Sequence, residues 1–332
     1  MELFLDYGRI GDTLTPCAVT IGSFDGLHLG HRLLIEKAKF FAEDLGVVSC
    51  VMTFEPHPAK ALAPGLSPPL LMSYHRKIRA LEKTGIGRIL SQRFTHSFAS
   101  LTPKDFAQKV LYDSLRARVV VVGDDFSFGH KGQGRTEDLR ALGRSLGFDV
   151  EVVQRLTVEG IIASSTRIRS FILQGRVQAA RLLLGRPYTI AGQVVSGAGR
   201  GRKLGIPTAN LRTDAELLPA RGVYMCHVWK AGWSCGKLAV TNIGTNPTFG
   251  GVSQTIEAHV LDMDEDLLAQ PLAIAFLQRL RGEIVFSSAS ELVAQIHRDE
   301  SRARDLASKY PIEPKLHDLS GIDLDTEPFS QG

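Results

Sequence analysis

Two histidines three residues apart, His28 and His31, close a glycine-rich stretch, Gly22-Ser-Phe-Asp-Gly-Leu-His-Leu-Gly-His31. Imidazole N–H groups can donate to an anion, and glycines let the backbone approach one closely. An apolar run, Ala18–Ile21, leads in. An amphipathic segment, Leu33–Leu45, leads out, with Leu34, Ala38, Phe41 and Leu45 at helical spacing. Strand, turn and helix in that order point a helix's unpaired N–H groups and positive dipole end at a phosphate. A lone histidine at a helix start is as well explained as a cap or surface residue. The flanking strand and helix favour a nucleotide site here.

A second constellation is Ala163-Ser-Ser-Thr-Arg-Ile-Arg169, where Ser165 or Thr166 caps a helix and Arg167 and Arg169 fall in its first turn. Cations there oppose the helix dipole, a cost of some tenths of a kcal/mol that an exposed pair could tolerate. A bound polyphosphate would turn that cost into a gain. A third is Gly197-Ala-Gly-Arg-Gly-Arg-Lys-Leu-Gly205, a basic loop fit to wrap phosphates through backbone N–H groups, or simply a surface loop. It runs into Ile206-Pro-Thr-Ala-Asn210. In an extended segment Thr208 and Asn210 share a side, and their oxygens suit a hard, partly hydrated Mg²⁺ that also takes phosphate ligands. In Thr255–Leu261 the apolar Ile256, Ala258 and Val260 face one way, leaving Glu257 and His259 on the other. Alone, these two read as solvated, and Arg279-Leu-Arg-Gly-Glu283 reads as a surface charge cluster.

The elements that must carry these residues divide the chain. Up to about residue 186, apolar runs (Ala18–Ile21, Val47–Phe54, Val119–Val122, Phe148–Val153) alternate with helical segments after Ser73, Thr102 and Thr136. That pattern predicts a doubly wound α/β domain, with ligands at the carboxyl ends of its strands. Residues 22–31, Glu55–Pro58 and Gly123–Gly129 then share one rim. After Gly185-Arg-Pro187 the texture changes to shorter apolar runs at 188–195, 222–229, 237–242, 254–261 and 272–277. These predict a mostly antiparallel barrel or sandwich. A helix opened by Ser288 or Ser290 runs to about Tyr310, and residues 311–332 read as a loosely ordered tail.

Composition narrows the function classes. At 332 residues two domains are expected, and 44% hydrophobic residues suffice for both cores. A net charge of +4, with basic and acidic residues interleaved, does not imply nucleic acid. Cys17, Cys50, Cys226 and Cys235 show neither zinc-type nor disulfide-framework spacing. No apolar stretch reaches spanning length and the start lacks a signal-peptide pattern, so a soluble cytoplasmic protein is expected.

These motifs in this order resemble the prokaryotic bifunctional riboflavin kinase/FAD synthetase family, from about Leu14 to Tyr310. The resemblance rests on residues 22–31, Thr53-Phe-Glu-Pro-His-Pro58, Gly123-Asp-Asp-Phe126 and Ser164–Arg169 in the first half. In the second it rests on Gly199–Asn210, Asn242–Phe249, Glu257 and Arg279–Glu283. It implies a Rossmann-like nucleotidyltransferase domain (1–186), then a mostly antiparallel β-barrel flavokinase domain (187–310) with a C-terminal helix. By the same resemblance, Glu257 is the base that takes the riboflavin 5′-hydroxyl proton, and Thr208 and Asn210 hold Mg²⁺. Gly199, Gly201, Lys203, Gly205, Pro207, Asn242 and Arg279 bind nucleotide or flavin. In the first half His28, His31 and Arg167 act on a second ATP, whose pocket is shaped by Gly22, Phe24, Asp25, Gly30, Ser165 and Thr166. The substrates implied are ATP, riboflavin and FMN, and the product FAD. The expected partners are small molecules, not nucleic acid or membrane, for a monomer or weak homo-oligomer. Ser127 stands where the family usually has Arg, Gly87 where Asp is common, and Leu268-Ala269 replaces a frequent Tyr-Gly. The alternatives are a related nucleotidyltransferase acting on another phosphate, such as phosphopantetheine, and a flavin-binding protein whose adenylyltransferase site has decayed.

Overall fold

The run Cys17–Ile21 is buried at every residue, as a strand covered on both faces must be. In the computed structural model, which describes residues 1–10, 14–63, 65–197, 199, 201, 204–248, 251–311 and 320–324, it is the second strand of a parallel sheet. The six strands are β1 (Glu2–Leu5), β2 (Cys17–Ile21), β3 (Val48–Glu55), β4 (Arg88–Arg93), β5 (Ala117–Gly123) and β6 (Asp149–Val153). Their order is β1-β4-β3-β2-β5-β6. The chain folds outward from β2 in one direction through β3 and in the other through β5, so the order reverses at β2. Crevices at such reversals, beyond the strands' carboxyl ends, are where open α/β sheets bind ligands. The Gly22–His31 turn leaves β2 at that point.

Helices cover both faces. The Leu29–Leu45 helix packs Ala38, Ala42, Leu34 and Phe41 on Ala18, Val119 and Val121. On the other face Phe106, Val110, Leu111 and Leu139 cover Val19, Val120 and Val122. Strands β1 and β4 go beyond the sequence expectations. Arg-Ile-Leu-Ser-Gln-Arg looks polar, yet Arg88 is buried because its guanidinium pairs with Glu2 at 3.0 Å and donates to the Thr15 carbonyl. The helix expected to be capped by Thr136 begins with it instead. Arg135 holds the cap position, its backbone N–H donating to the Asp138 carboxylate at 2.9 Å. Gly87 has a packing reason: a Cβ there would lie 2.9 Å from Val48 Cγ1 and 3.3 Å from the Ser49 carbonyl, which leaves no room for an Asp.

The chain divides into two compact units, Met1–Pro69 with Lys77–Ser164, and Leu70–Arg76 with Ser165–Gly332. In the first, β7 (Thr157–Val158) and β8 (Ile161–Ile162) form a short antiparallel pair. In the second, β9 (Tyr188–Val195), β10 (Ala209–Arg212), β11 (Gly222–Lys230), β12 (Lys237–Thr248), β13 (Gly251–Val260) and β14 (Pro271–Arg281) close a barrel in the order β10-β13-β12-β11-β14-β9. All its pairings are antiparallel. Ile256, Ala258 and Val260 are buried on one face of β13, Tyr188 stacks on Phe276 of a neighbouring strand, and Tyr224 meets Phe276 edge-on. The opposite face of β11, β12 and β14 carries Val223, Met225, Val240 and Leu277 under Ala303 and Leu306 of the C-terminal helix, Ala289–Ala307. Ser288 caps that helix, its hydroxyl accepting from the Glu291 N–H. Helices Ser165–Leu173 and Val177–Leu184 also belong to this unit. Of the residues beyond 311, Ser320 is buried and its carbonyl accepts from the Arg76 guanidinium. At the Leu268-Ala269 departure, Ala269 takes a left-handed φ of 62° and donates its N–H to the Val194 carbonyl at 2.9 Å.

Candidate active site

In the first unit the turn after β2 is held from below. Gly22 N–H donates to the Met52 carbonyl at 3.1 Å, and Thr53 Oγ1 donates to the Ser23 carbonyl at 3.2 Å. Phe24 and Leu27 are fully buried at positive φ (51° and 40°), a conformation that costs L-residues energy and is kept where surrounding packing dictates it. Asp25 and His28 are buried beside them. His28 is the N-cap of the helix, its Nδ1 accepting from the His31 N–H at 3.3 Å. The two imidazoles stack with ring centroids 3.6 Å apart, and Phe24 lies 5.1 Å from the His31 ring. A Cβ on Gly30 would sit 3.2 Å from the His28 ring, so the glycine leaves that ring its place.

Two features of this unit were not legible in the spacing. Lys77 is buried and donates to the Phe54 carbonyl at 2.9 Å. Burial lowers its pKa, and the carboxylates of Glu55 and Asp25 work against that shift. The second feature is a chain of rings beyond β3, β4 and β5, in which Phe54, Phe94 and Phe98 lie 5.5–6.1 Å apart and Phe126 stacks on Phe128 at 5.6 Å. The close pairs 94/98 and 126/128 were the available signal. Ser127 separates these two residues in sequence, and its hydroxyl lies against Gly132. Ser165, Thr166 and Arg167 open the Ser165–Leu173 helix of the second unit, with Thr166 and Arg167 exposed and Arg169 buried.

In the second unit one register row crosses three neighbouring strands: Asn210 of β10 is opposite Glu257 of β13, and Glu257 is opposite Asn242 of β12. Directly opposed residues project to the same side of a sheet. The row continues through Val223 to Arg281, which the buried Asp299 of the C-terminal helix holds at 2.9 Å. These side chains line a cleft of about 750 Å³ together with Gly199, Gly201 and Thr208, between the outside of the barrel and Leu292, Ile296 and Asp299 of the helix. A Cβ on Gly197 would overlap the Asn210 amide, and one on Gly201 would overlap the Ile206 carbonyl and lie 3.2 Å from Thr208 Oγ1. The glycines therefore leave the Asn210 amide and the Thr208 hydroxyl their places at the cleft, and both offer the oxygen donors that a small, hard cation takes. Among the described residues no group of three His, Cys, Asp or Glu gathers as an alternative metal site.

The expected binding residues do not all meet there. Arg281, rather than Arg279, lines the cleft. Arg279 instead donates to the Arg221 carbonyl and lies against Gly175 and Gly222. Beside it burial pushes the Tyr224 hydroxyl up to about 12, against the opposing Arg279 charge. Gly205 and Pro207 flank the cleft in sequence, with the Pro207 carbonyl 2.7 Å from His259 Nδ1. Lys203 lies outside the described residues.

A family model for FAD synthetase matches residues 11–167, and one for riboflavin kinase matches residues 184–307. The bifunctional riboflavin kinase/FMN adenylyltransferase of Escherichia coli K12 is 37% identical over 289 residues, 87% of this chain and 92% of that one. The chain belongs to the bifunctional riboflavin kinase/FMN adenylyltransferase family. Its Haemophilus influenzae relative of the same name is 33% identical over 306 residues, covering 92% of this chain and 98% of that one. The crystal structure of a macrolide-efflux protein from Streptococcus pneumoniae shares the fold, with a TM-score of 0.83 and 32% identity over 92% of this chain and 99% of that one. No described helix here is long and apolar enough to cross a membrane. In this family the parallel-sheet unit corresponds to the FAD synthetase match, and the closed barrel to the riboflavin kinase match.

Proposed function

We propose that the chain phosphorylates riboflavin to FMN in the barrel and adenylylates FMN to FAD in the parallel-sheet domain, with domains at 1–186 and 187–310. The observation that carries the kinase half of this reading is the row Asn210–Glu257–Asn242, which sets a carboxylate between two amides at the wall of a cleft large enough for a nucleotide. Glu257 accepts the proton of the ribityl 5′-hydroxyl as that oxygen attacks the γ-phosphorus of ATP and ADP leaves. Thr208 and Asn210 would hold Mg²⁺, which when bound supplies charge neutralisation to the phosphates. The glycine-rich loop with Gly199, Gly201 and Gly205 carries the phosphates on backbone N–H groups, and Lys203 adds a cation. Orientation of the two substrates supplies most of the acceleration.

In the other domain the FMN phosphate oxygen attacks the α-phosphorus of a second ATP, and pyrophosphate leaves. No side-chain nucleophile is needed, because FMN brings its own anion. His28 and His31 stabilise the charge that builds on the α-phosphoryl oxygens. Arg167, at the start of its helix with Ser165 and Thr166, holds the β- and γ-phosphates. The rings of Phe54, Phe94 and Phe126 offer the isoalloxazine an apolar face. The enzyme acts on small molecules in the cytoplasm, as a monomer or weak homo-oligomer, with no role for nucleic acid. Chromatography of the products from riboflavin and Mg-ATP tests the reading: FMN followed by FAD is expected, and neither above background would overturn it.

A further inference from the structure

His259 shares the outward face of β13 with Glu257, two residues earlier. Its ring is fixed at both ends. Nδ1 donates to the Pro207 carbonyl at 2.7 Å, and Nε2 lies 3.2 Å from Glu300 Oε1 on the C-terminal helix. His259 and Glu300 are 16% and 17% exposed, so water screens the contact less than it would a surface pair. The other Glu300 oxygen lies 3.2 Å from His297 Nδ1, and Arg304 adds its charge nearby. The helix has further ties to the barrel: Arg304 with Asp262 at 2.7 Å, Asp299 with Arg281 at 2.9 Å, and Arg302 donating to the Leu280 carbonyl at 2.8 Å. These end at or just beyond the ends of β13 and β14. The His259 tie continues into the segment that precedes β10.

That segment needs a fixed point. The Leu204 and Ile206 N–H groups both turn back to the Gly201 carbonyl, at 3.0 and 2.9 Å, and the β10 ladder begins only at Ala209. Between them Pro207 has no N–H to offer, and its carbonyl is held by the His259 ring. Thr208 follows directly, and its side chain lines the cleft.

We infer that His259 is a positioning residue of the kinase site. It clamps the Pro207 carbonyl to the C-terminal helix through Glu300, and so sets Thr208 above the Asn210–Glu257 row for Mg-ATP. This rests on the riboflavin kinase reading of the cleft.

The test compares His259→Leu, His259→Asn and Glu300→Ala with the unaltered chain. An Asn amide can still reach the Pro207 carbonyl, whereas Leu cannot. For His259→Leu, KM for Mg-ATP in riboflavin phosphorylation should rise about tenfold, the worth of one well-made hydrogen bond, with kcat within about threefold. His259→Asn keeps the Pro207 hydrogen bond and loses the Glu300 contact, so it and Glu300→Ala should both fall between His259→Leu and the unaltered chain. Calorimetric titration with a non-hydrolysable Mg-ATP analogue should show the same order of affinities. FAD formation from supplied FMN should match the unaltered chain in all three, which reports an intact fold. An unchanged KM in His259→Leu, or an Asn variant as impaired as the Leu variant, would overturn the inference. Should the Leu variant also lose FAD formation through misfolding, the Asn variant decides. Absence of FMN from the unaltered chain would instead sink the kinase reading itself.

Discussion

Asn210 and Glu257 stand directly opposite each other in the β10–β13 ladder, and Asn242 flanks Glu257 from β12. Forty-seven residues of sequence separate the first two, and one hydrogen-bonded register brings them together. The amide proposed to hold Mg²⁺ and the proposed base are thereby placed by backbone pairing rather than by loop conformation.

Glu257→Gln keeps that register and the side-chain volume but removes the proton acceptor. Riboflavin phosphorylation should fall by about 10²–10⁴-fold, the usual span for a general base. FAD formation from supplied FMN should continue unchanged. A product assay run separately on riboflavin and on FMN reads both.

His28 and His31 should separate by their second roles. Either Ala substitution should lower FMN adenylylation by about 10²–10³-fold, as for other lost donors to a developing oxyanion. FMN formation should persist in both. His28 also caps the Leu29–Leu45 helix through Nδ1, so His28→Ala should cost about 1 kcal/mol of stability that His31→Ala does not. Thermal melting beside the two assays distinguishes them.

Gly197→Ala tests the role of Asn210. The added methyl would overlap the Asn210 amide and displace it. The Mg²⁺ concentration for half-maximal FMN formation should rise several-fold. The melting temperature should hardly change, because Gly197 is exposed.

His227 predicts an acid-side loss of stability. It is buried on β11, and burial, with a smaller contribution from the Arg181 charge, lowers its pKa from 6.5 to about 4. Between those values the unfolded chain binds the proton and the folded one does not, so stability falls as pH drops from about 6.5 to about 4 and is level above. The loss is on the order of 3 kcal/mol for a shift of this size. Urea unfolding across that window should show the slope, and His227→Gln should flatten it.

Much of the architecture was legible along the chain because its signals are local. Continuous apolar runs such as Val119–Val122 mark strands covered on both faces, the glycine turn after β2 marks a helix start, and alternation around Glu257 separates its two faces. The places where sequence reading stopped short depend on distant partners. Arg88 reads as a polar surface residue, and only Glu2 and Thr15, far from it in sequence, make its burial in β4 tolerable. Arg279 and Arg281 look interchangeable on β14. A register shift near Val223 and the buried Asp299 bring Arg281 to the cleft and leave Arg279 with the Arg221 carbonyl. Residue types and their spacing therefore determined which chemistry this chain carries, since Pro-Thr-Ala-Asn and Gly22–His31 are each contiguous. Barrel closure decided which residues meet, because a register row joins side chains that no sequence window contains.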